Sequence, residues 1–342
     1  RKLPMSILDK ILGNDEPKDT PAKPDSQMAK VLEKQAELGA KPIETLSPQE
    51  ARLQPTPTDG VKKLMSEQGR DPNEDLGVRT TDITIPGPGG VLPHEHSEDR
   101  LHPVVVYFHG GGFVIADLDV YDGGPRGVSK FADVIVVSVH YRQAPENKFP
   151  AAHEDAVAAY RWVLENAQSF GGDPRKVAVM GESAGGNLAI NVSMAARDQG
   201  LPLPVHQVLF YPLVGNDLEN ESYVENAQAK PLNKAMIEWF VKHTFNDPSE
   251  TEDPRVNVVG AANVSGLPST TVILAEIDPL RTEGKKLVDK LEAAGVEVRH
   301  KTWHGSTHEF FGMGLVVPDA AAAQTFAAHE LKRAFGTAIL PI

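Results

Sequence analysis

The stretch VAVMGESAGGNLA, residues 177–189, sets an apolar run ahead of one serine held among small residues. Val177, Ala178, Val179 and Met180 read as a buried strand, while Leu188, Ala189, Ile190, Val192 and Met194 follow a helical period. Ser183 falls at the turn between them. A strand that reverses into a helix within about two residues needs positions without bulky side chains. Gly181, Ala184, Gly185 and Gly186 supply them. Gly-x-Ser-x-Gly in that setting is a nucleophile elbow, which lifts a serine hydroxyl above the end of a sheet. Taken alone the pentapeptide is equally an ordinary glycine-rich turn, so the rest of the chain decides.

Outward from this stretch the alternation repeats. Short apolar runs stand at 81–87, 104–108, 134–139, 176–180, 207–211, 271–277 and 296–303, and helical patterns at 150–168, 187–198, 282–294 and 319–335 separate most of them. Near-continuous apolar strands alternating with helices predict an α/β fold, a mostly parallel central sheet flanked by helices. Between 213 and 250 the alternation lapses, and LNKAMIEWFVKHTF (232–245) reads as an extra helix.

The chain before residue 79 reads as helical and strand-free. Residues 1–25, rich in Pro, Lys and Asp after a short apolar patch, read as a loose or separately docked extension. Met28, Val31, Leu32 and Leu38 share one face of a helix. Ser47 is placed as an N-cap, with Pro48 in the first turn and Glu50 closing a capping box. A third short helix is expected over 60–69.

Composition bounds the function. The 342 residues are 40% apolar, enough for a substantial core, and no run of about 18 apolar residues suggests a membrane span. Thirty-four basic against 47 acidic residues, a net charge of −13, oppose nucleic acid or an anionic membrane surface as partner. Without cysteine there are no disulfides, thiolate metal sites or cysteine nucleophiles. The chain begins at Arg1, so a processed or trimmed product is one expectation. Cytoplasmic residence is expected, with a secreted or periplasmic form left open. Oligomeric state is open too, a homodimer included.

In open α/β sheets ligands bind beyond the carboxyl ends of the strands. After 104–108 comes HGGGF (His109 to Phe113), after 177–180 comes Ser183, after 271–277 comes Asp278, and after 296–303 come His304 and His308. A serine, an acid and a histidine therefore follow strands in the chain order of an α/β-hydrolase triad. The glycine run adds bare backbone N–H groups that can approach a developing oxyanion. Each piece has a plain alternative: Asp278 can cap a turn, the glycine run can hold a phosphate, and the histidines can be surface residues. Their coincidence at equivalent places in the topology favours catalysis.

The motifs HGGGF, YRQAPENKFPAAHEDAVAAYRWV, DPRKVAVMGESAGGNLA, DPL and THEFFGM resemble the hormone-sensitive-lipase family of esterases, in the bacterial branch whose elbow reads GDSAG. The match spans roughly residues 28–335. It implies an α/β-hydrolase core, a helical cap and ester hydrolysis without cofactor or metal. Carried over by position, Ser183 is the nucleophile, Asp278 the acid and His308 the base, with the N–H groups of Gly111, Gly112 and Ala184 as the oxyanion hole. Glu182 stands where this branch usually has aspartate, a change expected to alter the hydrogen bonding behind the elbow. His304 competes as base. THEFF and the 30 residues separating Asp278 from His308 favour the latter, with an apparent pKa of about 6–7.

The resemblance divides the chain into an extension (1–25), a helical cap segment (26–78) and a catalytic domain (79–342) with a cap insertion at about 213–245. Expected pocket walls are Phe113, Val114, Tyr211, Leu213, Trp239, Phe240 and Phe311, an apolar lining suited to small-molecule esters of short to medium acyl chains. An amidase or carbamate hydrolase would use the same residues. A non-catalytic receptor on this fold would lack the triad histidine.

Overall fold

The computed structural model describes residues 22–85, 90–92 and 101–338. Among the described residues eight strands form one sheet: β1 Ile83–Thr84, β2 Gly90–Leu92, β3 His102–Phe108, β4 Ile135–His140, β5 Gly172–Glu182, β6 Gln207–Phe210, β7 Thr270–Ile277 and β8 Val298–Thr307. Their spatial order is β1-β2-β4-β3-β5-β6-β7-β8. The six strands from β4 to β8 run parallel, and β1 and β2 pair antiparallel at one edge.

The helices are α1 Ser26–Glu37, α2 Pro48–Ala51, α3 Pro57–Glu67, α4 Gly123–Ala132, α5 Ala151–Asn166, α6 Ala184–Gln199, α7 Glu221–Glu225, α8 Lys234–Thr244, α9 Val258–Ala261, α10 Arg281–Ala293 and α11 Pro318–Phe335. Strand side chains alternate between faces. Val104, Val106 and Phe108 join Val177 and Val179 against α5 and α6. Val105 and Tyr107 join Ala178 and Met180 against α4 and α11. Both faces are buried, which is why these strands read as unbroken apolar runs.

The chain leaves β3 toward β4 on one side and returns to β5 on the other. The order therefore reverses between β3 and β5, where open α/β sheets hold their ligands. HGGGF follows β3 and Ser183 follows β5.

Several elements escape the sequence reading, among them β2, α4 and the short helices α7 and α9. Helix α4 was not expected because GGPRGVSKFA carries three glycines and a proline, all poor helix formers. Those glycines serve contact. A Cβ on Gly127 would lie 2.2 Å from the Gln324 amide oxygen, and one on Gly124 would lie 2.7 Å from the Phe311 ring. Strand β8 also runs on to Thr307, four residues beyond the expected end, and so delivers His308 at its tip.

Ahead of the sheet, α1 and α3 pack Met28, Val31, Val61, Leu64 and Met65 onto the same core as α11. The capping boxes Ser47–Glu50 and Thr56–Asp59 start α2 and α3. Of the expected extension, residues 1–21 lie outside the described residues. Asp25 is docked: its N–H donates to the Gly305 carbonyl at 2.9 Å, and its carboxylate caps α1. Helix α8 fills the expected 232–245 element, preceded by the short α7. A separate apolar cluster joins Ile43 and Ala51 to Val114, Tyr223, Leu232, Trp239 and Phe240.

Candidate active site

Ser183 sits at φ 57° and ψ −118°, a conformation that side-chain-bearing residues rarely adopt. Its surroundings explain the spacing of the motif. A Cβ on Gly181 would lie 2.1 Å from the Gly185 carbonyl oxygen, and one on Gly185 would lie 1.9 Å from that of Phe108. Both ends of Gly-x-Ser-x-Gly are glycine because backbone occupies the space a methyl group would need. The turn holds the serine at the mouth of the β3/β5 crevice.

His308, just past β8, lies 2.8 Å through Nδ1 from Asp278 Oδ2 and 2.9 Å through Nε2 from Ser183 Oγ. All three side chains are buried. A carboxylate only accepts, so Nδ1 carries the proton and Nε2 faces the serine hydroxyl as acceptor. Burial pushes the His308 pKa down, but the charge and hydrogen bond of Asp278 outweigh it, helped by Glu309 and Glu182, and hold the imidazole above its ordinary value. The other Asp278 oxygen accepts from the Leu280 N–H at 2.9 Å, so the acid is fixed by its own turn. His304 is half-exposed and pairs with Glu276 at 3.1 Å. It is not part of this hydrogen-bonded chain.

The direction of the candidate oxyanion donors follows from peptide geometry, because in a trans peptide the N–H points opposite to the preceding carbonyl. The Gly110 carbonyl accepts from His109 Nδ1 at 2.7 Å, the Gly111 carbonyl from the N–H groups of Val114 and Ile115 at 3.0 Å, and the Ser183 carbonyl from Asn187 and Leu213 at 3.1 Å. Anchoring these three oxygens turns the N–H groups of Gly111, Gly112 and Ala184 the other way. Among the described residues no hydrogen bond is donated by Gly111 or Gly112 N–H, and Ala184 opens α6, where an N–H has no partner within the helix. His109 is buried and stacked on Tyr141 at 4.4 Å, and burial lowers its pKa to about 4. It stays neutral as an anchor for the loop.

Ser183, His308, Gly111 and Gly112 line a cavity of about 270 Å³ together with Phe240, Met236, Leu232, Tyr121 and Glu309. Of the seven expected wall residues, Phe240 alone is among its lining. Phe113 and Leu213 line an adjoining cavity instead. Val114 and Trp239 lie in the cluster that joins α2 to α8. Tyr211 and Phe311 are buried behind His308. Tyr211 Oη donates to Glu182 at 2.6 Å, its ring lies 4.6 Å from the His308 ring, and Phe311 lies 3.7 Å from Phe210. These two aromatic side chains are drawn inward by partners that the sequence does not display.

Glu182 is fully buried, with Tyr107 Oη on one carboxylate oxygen at 2.5 Å and Tyr211 Oη on the other. Burial raises its pKa to about 7 against the two hydrogen bonds that lower it. Sequence reasoning missed Tyr107, named Tyr211 as a wall and not as a partner of Glu182, and missed Arg52, which donates to the carbonyls of Val114 at 2.9 Å and Ala144 at 2.8 Å and pairs with Glu146 at 2.7 Å. Arg52 ties α2 to the segment following the glycine loop. The sequence reads Glu309 as a surface residue or one that supports the site from behind, not as a catalytic acid. It is half-buried, lines the cavity and accepts from Tyr121 Oη at 2.5 Å. Among the described residues no group of three or more His, Asp or Glu is placed to hold a metal ion, and no helix is long and apolar enough to cross a membrane.

Comparison with known proteins agrees with this geometry. A family profile described as alpha/beta hydrolase fold matches residues 105–312. The carboxylesterase NlhH of Mycobacterium tuberculosis is 43% identical over 236 residues, covering 68% of this chain and 74% of its own. An ethyl acetate hydrolase of Pseudomonas putida is 31% identical over 282 residues, covering 82% and 88%. The crystal structure of a thermostable esterase from Pseudomonas putida ECU1011 superimposes with a TM-score of 0.82 at 29% identity, over 93% of this chain and 99% of that one. With the sheet order, the elbow and the triad-like geometry in place, the chain belongs to the α/β-hydrolase family, in its hormone-sensitive-lipase-like group of bacterial esterases.

Proposed function

We propose that this carboxylic ester hydrolase cleaves short- to medium-chain acyl esters through an acyl-enzyme on Ser183. One observation carries the proposal: the unbroken chain Asp278–His308–Ser183, with contacts of 2.8 and 2.9 Å, whose Ser183 and His308 line a cavity. His308 Nε2 takes the hydroxyl proton as Ser183 Oγ attacks the ester carbonyl. Asp278 holds the tautomer and stabilises the imidazolium. The N–H groups of Gly111, Gly112 and Ala184 receive the developing oxyanion, each contributing about 3 kcal/mol by analogy with measured donors. His308 then protonates the departing alcohol, and water repeats the sequence on the acyl-enzyme to release the acid.

The segments 26–78 and 213–245 act as a cap over the domain 79–342. The apolar cluster shared by Ile43, Ala51, Trp239 and Phe240 and the Arg52 anchor support this reading. So does the lining of the cavity, drawn from both segments. The relative named as an ethyl acetate hydrolase supports small acyl and alcohol groups. A panel of p-nitrophenyl esters of rising chain length tests the proposal, run on wild type and Ser183→Ala beside a matched amide. Ester turnover that depends on Ser183 and exceeds amide turnover is expected. Faster amide cleavage would reassign the reaction.

A further inference from the structure

No step of the proposed hydrolysis uses Glu309, although it lines the same cavity as Ser183 and His308. It directly follows His308 and sits at φ 64° and ψ 10°, the left-handed region that favours glycine. The chain nevertheless carries a carboxylate there. Oε1 accepts from Tyr121 Oη at 2.5 Å, which fixes the side chain. Room for that hydroxyl comes from the glycine loop: a Cβ on Gly110 would fall 2.4 Å from Tyr121 Oη. Among the described residues no donor reaches Oε2 and no cation pairs with Glu309.

The cavity around this carboxylate is short of positive charge. Arg52 is on the lining, but its guanidinium is spent on the Val114 and Ala144 carbonyls and on Glu146. Asp117, at the exposed rim, adds a second carboxylate, whose Oδ1 accepts from the Val120 N–H at 3.0 Å. His140 is also exposed at the rim, and among the described residues no lysine lines the cavity. The aromatic rings of Tyr121 and Phe240 belong to the same lining. A carboxylate beside aromatic rings, with no protein cation to neutralise it, has the chemistry that recognises an ammonium group.

We propose that Glu309 is a specificity-determining residue that selects esters whose alcohol carries an ammonium group close to the ester oxygen. The inference rests on the ester-hydrolase reading above. The alcohol side is singled out because His308 Nε2 must protonate the departing oxygen, and Glu309 is the next residue along the chain. An ammonium two carbons from that oxygen stays on the His308 side of the cavity, where Glu309 Oε2 is open. The ammonium takes no part in bond making: the acyl group still passes to Ser183, and the protonated alcohol leaves. One unneutralised charge pair several ångström apart near a protein surface is worth about a tenfold gain in kcat/KM.

The test compares acetylthiocholine with its uncharged isostere 3,3-dimethylbutyl thioacetate, each kcat/KM divided by the hydroxide rate constant of the same ester. Thiol release is read directly, because the chain has no cysteine to add background. Wild type at low salt should prefer the cation about tenfold. Glu309→Gln, which keeps an acceptor for Tyr121, should cut that preference at least about fivefold, and Glu309→Asp should retain more of it. Glu165→Gln removes an exposed carboxylate that does not line the cavity. It controls for the overall charge of −13 and should leave the preference in place. The ratio cancels any effect of Glu309 on His308, which both esters share. Choline should also inhibit wild-type p-nitrophenyl acetate turnover more strongly than 3,3-dimethylbutan-1-ol, a measurement that needs no variant. Equal normalised turnover of the two thioesters in wild type, or an equal loss of preference in Glu165→Gln, would overturn selection by Glu309 and leave the esterase reading intact. So would failure to cleave either thioester by an enzyme that turns over p-nitrophenyl acetate. Absence of any Ser183-dependent ester turnover would overturn both.

Discussion

Gly185 and Phe108 meet backbone to backbone: a Cβ on Gly185 would stand 1.9 Å from the Phe108 carbonyl oxygen. The first turn of α6 thus rests on the end of β3, and that contact brings the glycine loop and the elbow to one crevice. Gly185→Ala should cost more than about 3 kcal/mol, because neither backbone can yield. Gly200→Ala is the control. Its φ of +66° strains a side chain, but open space surrounds it, so a loss of about 1 kcal/mol is expected. Urea denaturation of both variants checks this, and equal losses would contradict the packing argument.

The histidine assignment gives a second prediction. His308→Ala should lower kcat by about four orders of magnitude or more, while His304→Ala, altering a half-exposed pair with Glu276, should leave most activity. The pKa of His308 is held above its ordinary value, so the acidic limb of kcat/KM should lie above pH 6.5. Asp278→Asn removes the main raising influence. The limb should move to lower pH while the rate falls about 10⁴-fold by analogy with other triads. A pH–rate profile of the two enzymes decides it. A limb that stays put would mean Asp278 does not set the His308 charge.

Arg52 links α2 to the carbonyls of Val114 and Ala144 and to Glu146. Arg52→Ala leaves those carbonyls without their donor and should destabilise the protein by about 1–2 kcal/mol. KM should rise more than kcat falls, since the variant loosens a wall of the cavity and not the triad. Steady-state kinetics beside thermal unfolding would show it. A kcat loss with unchanged KM would mean that Arg52 orders the glycine loop instead.

Glu283 is buried, with Oε1 accepting the Val214 N–H at 2.7 Å and burial raising its pKa to about 8. From the ordinary carboxyl range up to about pH 8 the folded state holds a proton there that the unfolded chain has lost, so stability falls as pH rises through this window. Glu182, at about 7, adds to the same slope. Glu283→Gln should flatten the fall in unfolding free energy between pH 6 and 9, measured by denaturant titration. An unchanged slope would show that the buried carboxylate does not titrate.

Much of this was legible in the sequence because it sits in backbone-limited motifs. The run VAVMGESAGGNLA announces strand, turn and helix, and β3, β5, β6 and β7 are apolar on both faces, so their residues reveal them. The residues of the proposed triad, which the structure brings together, were found from what comes after each strand. The pocket was less legible. Tyr211 and Phe311 were expected as walls, yet buried partners such as Glu182 turn them away, and no local pattern encodes a partner 29 residues distant. Helix α4 was hidden because its glycines, chosen for contact with Phe311 and Gln324, read as loop. Arg52 lies in a polar one-turn helix and gives no local sign of its targets, which are 62 and 92 residues away.

The central claim is that Ser183, activated by His308, carries the acyl group during ester hydrolysis. Rapid mixing with p-nitrophenyl acetate, followed by acid quench and mass spectrometry of the peptides, tests it most directly. A burst of p-nitrophenol near one equivalent is expected, with acetyl on the peptide that contains Ser183. Both burst and adduct should be absent in Ser183→Ala and in His308→Ala. An adduct on another residue, or a full burst in Ser183→Ala, would contradict the account.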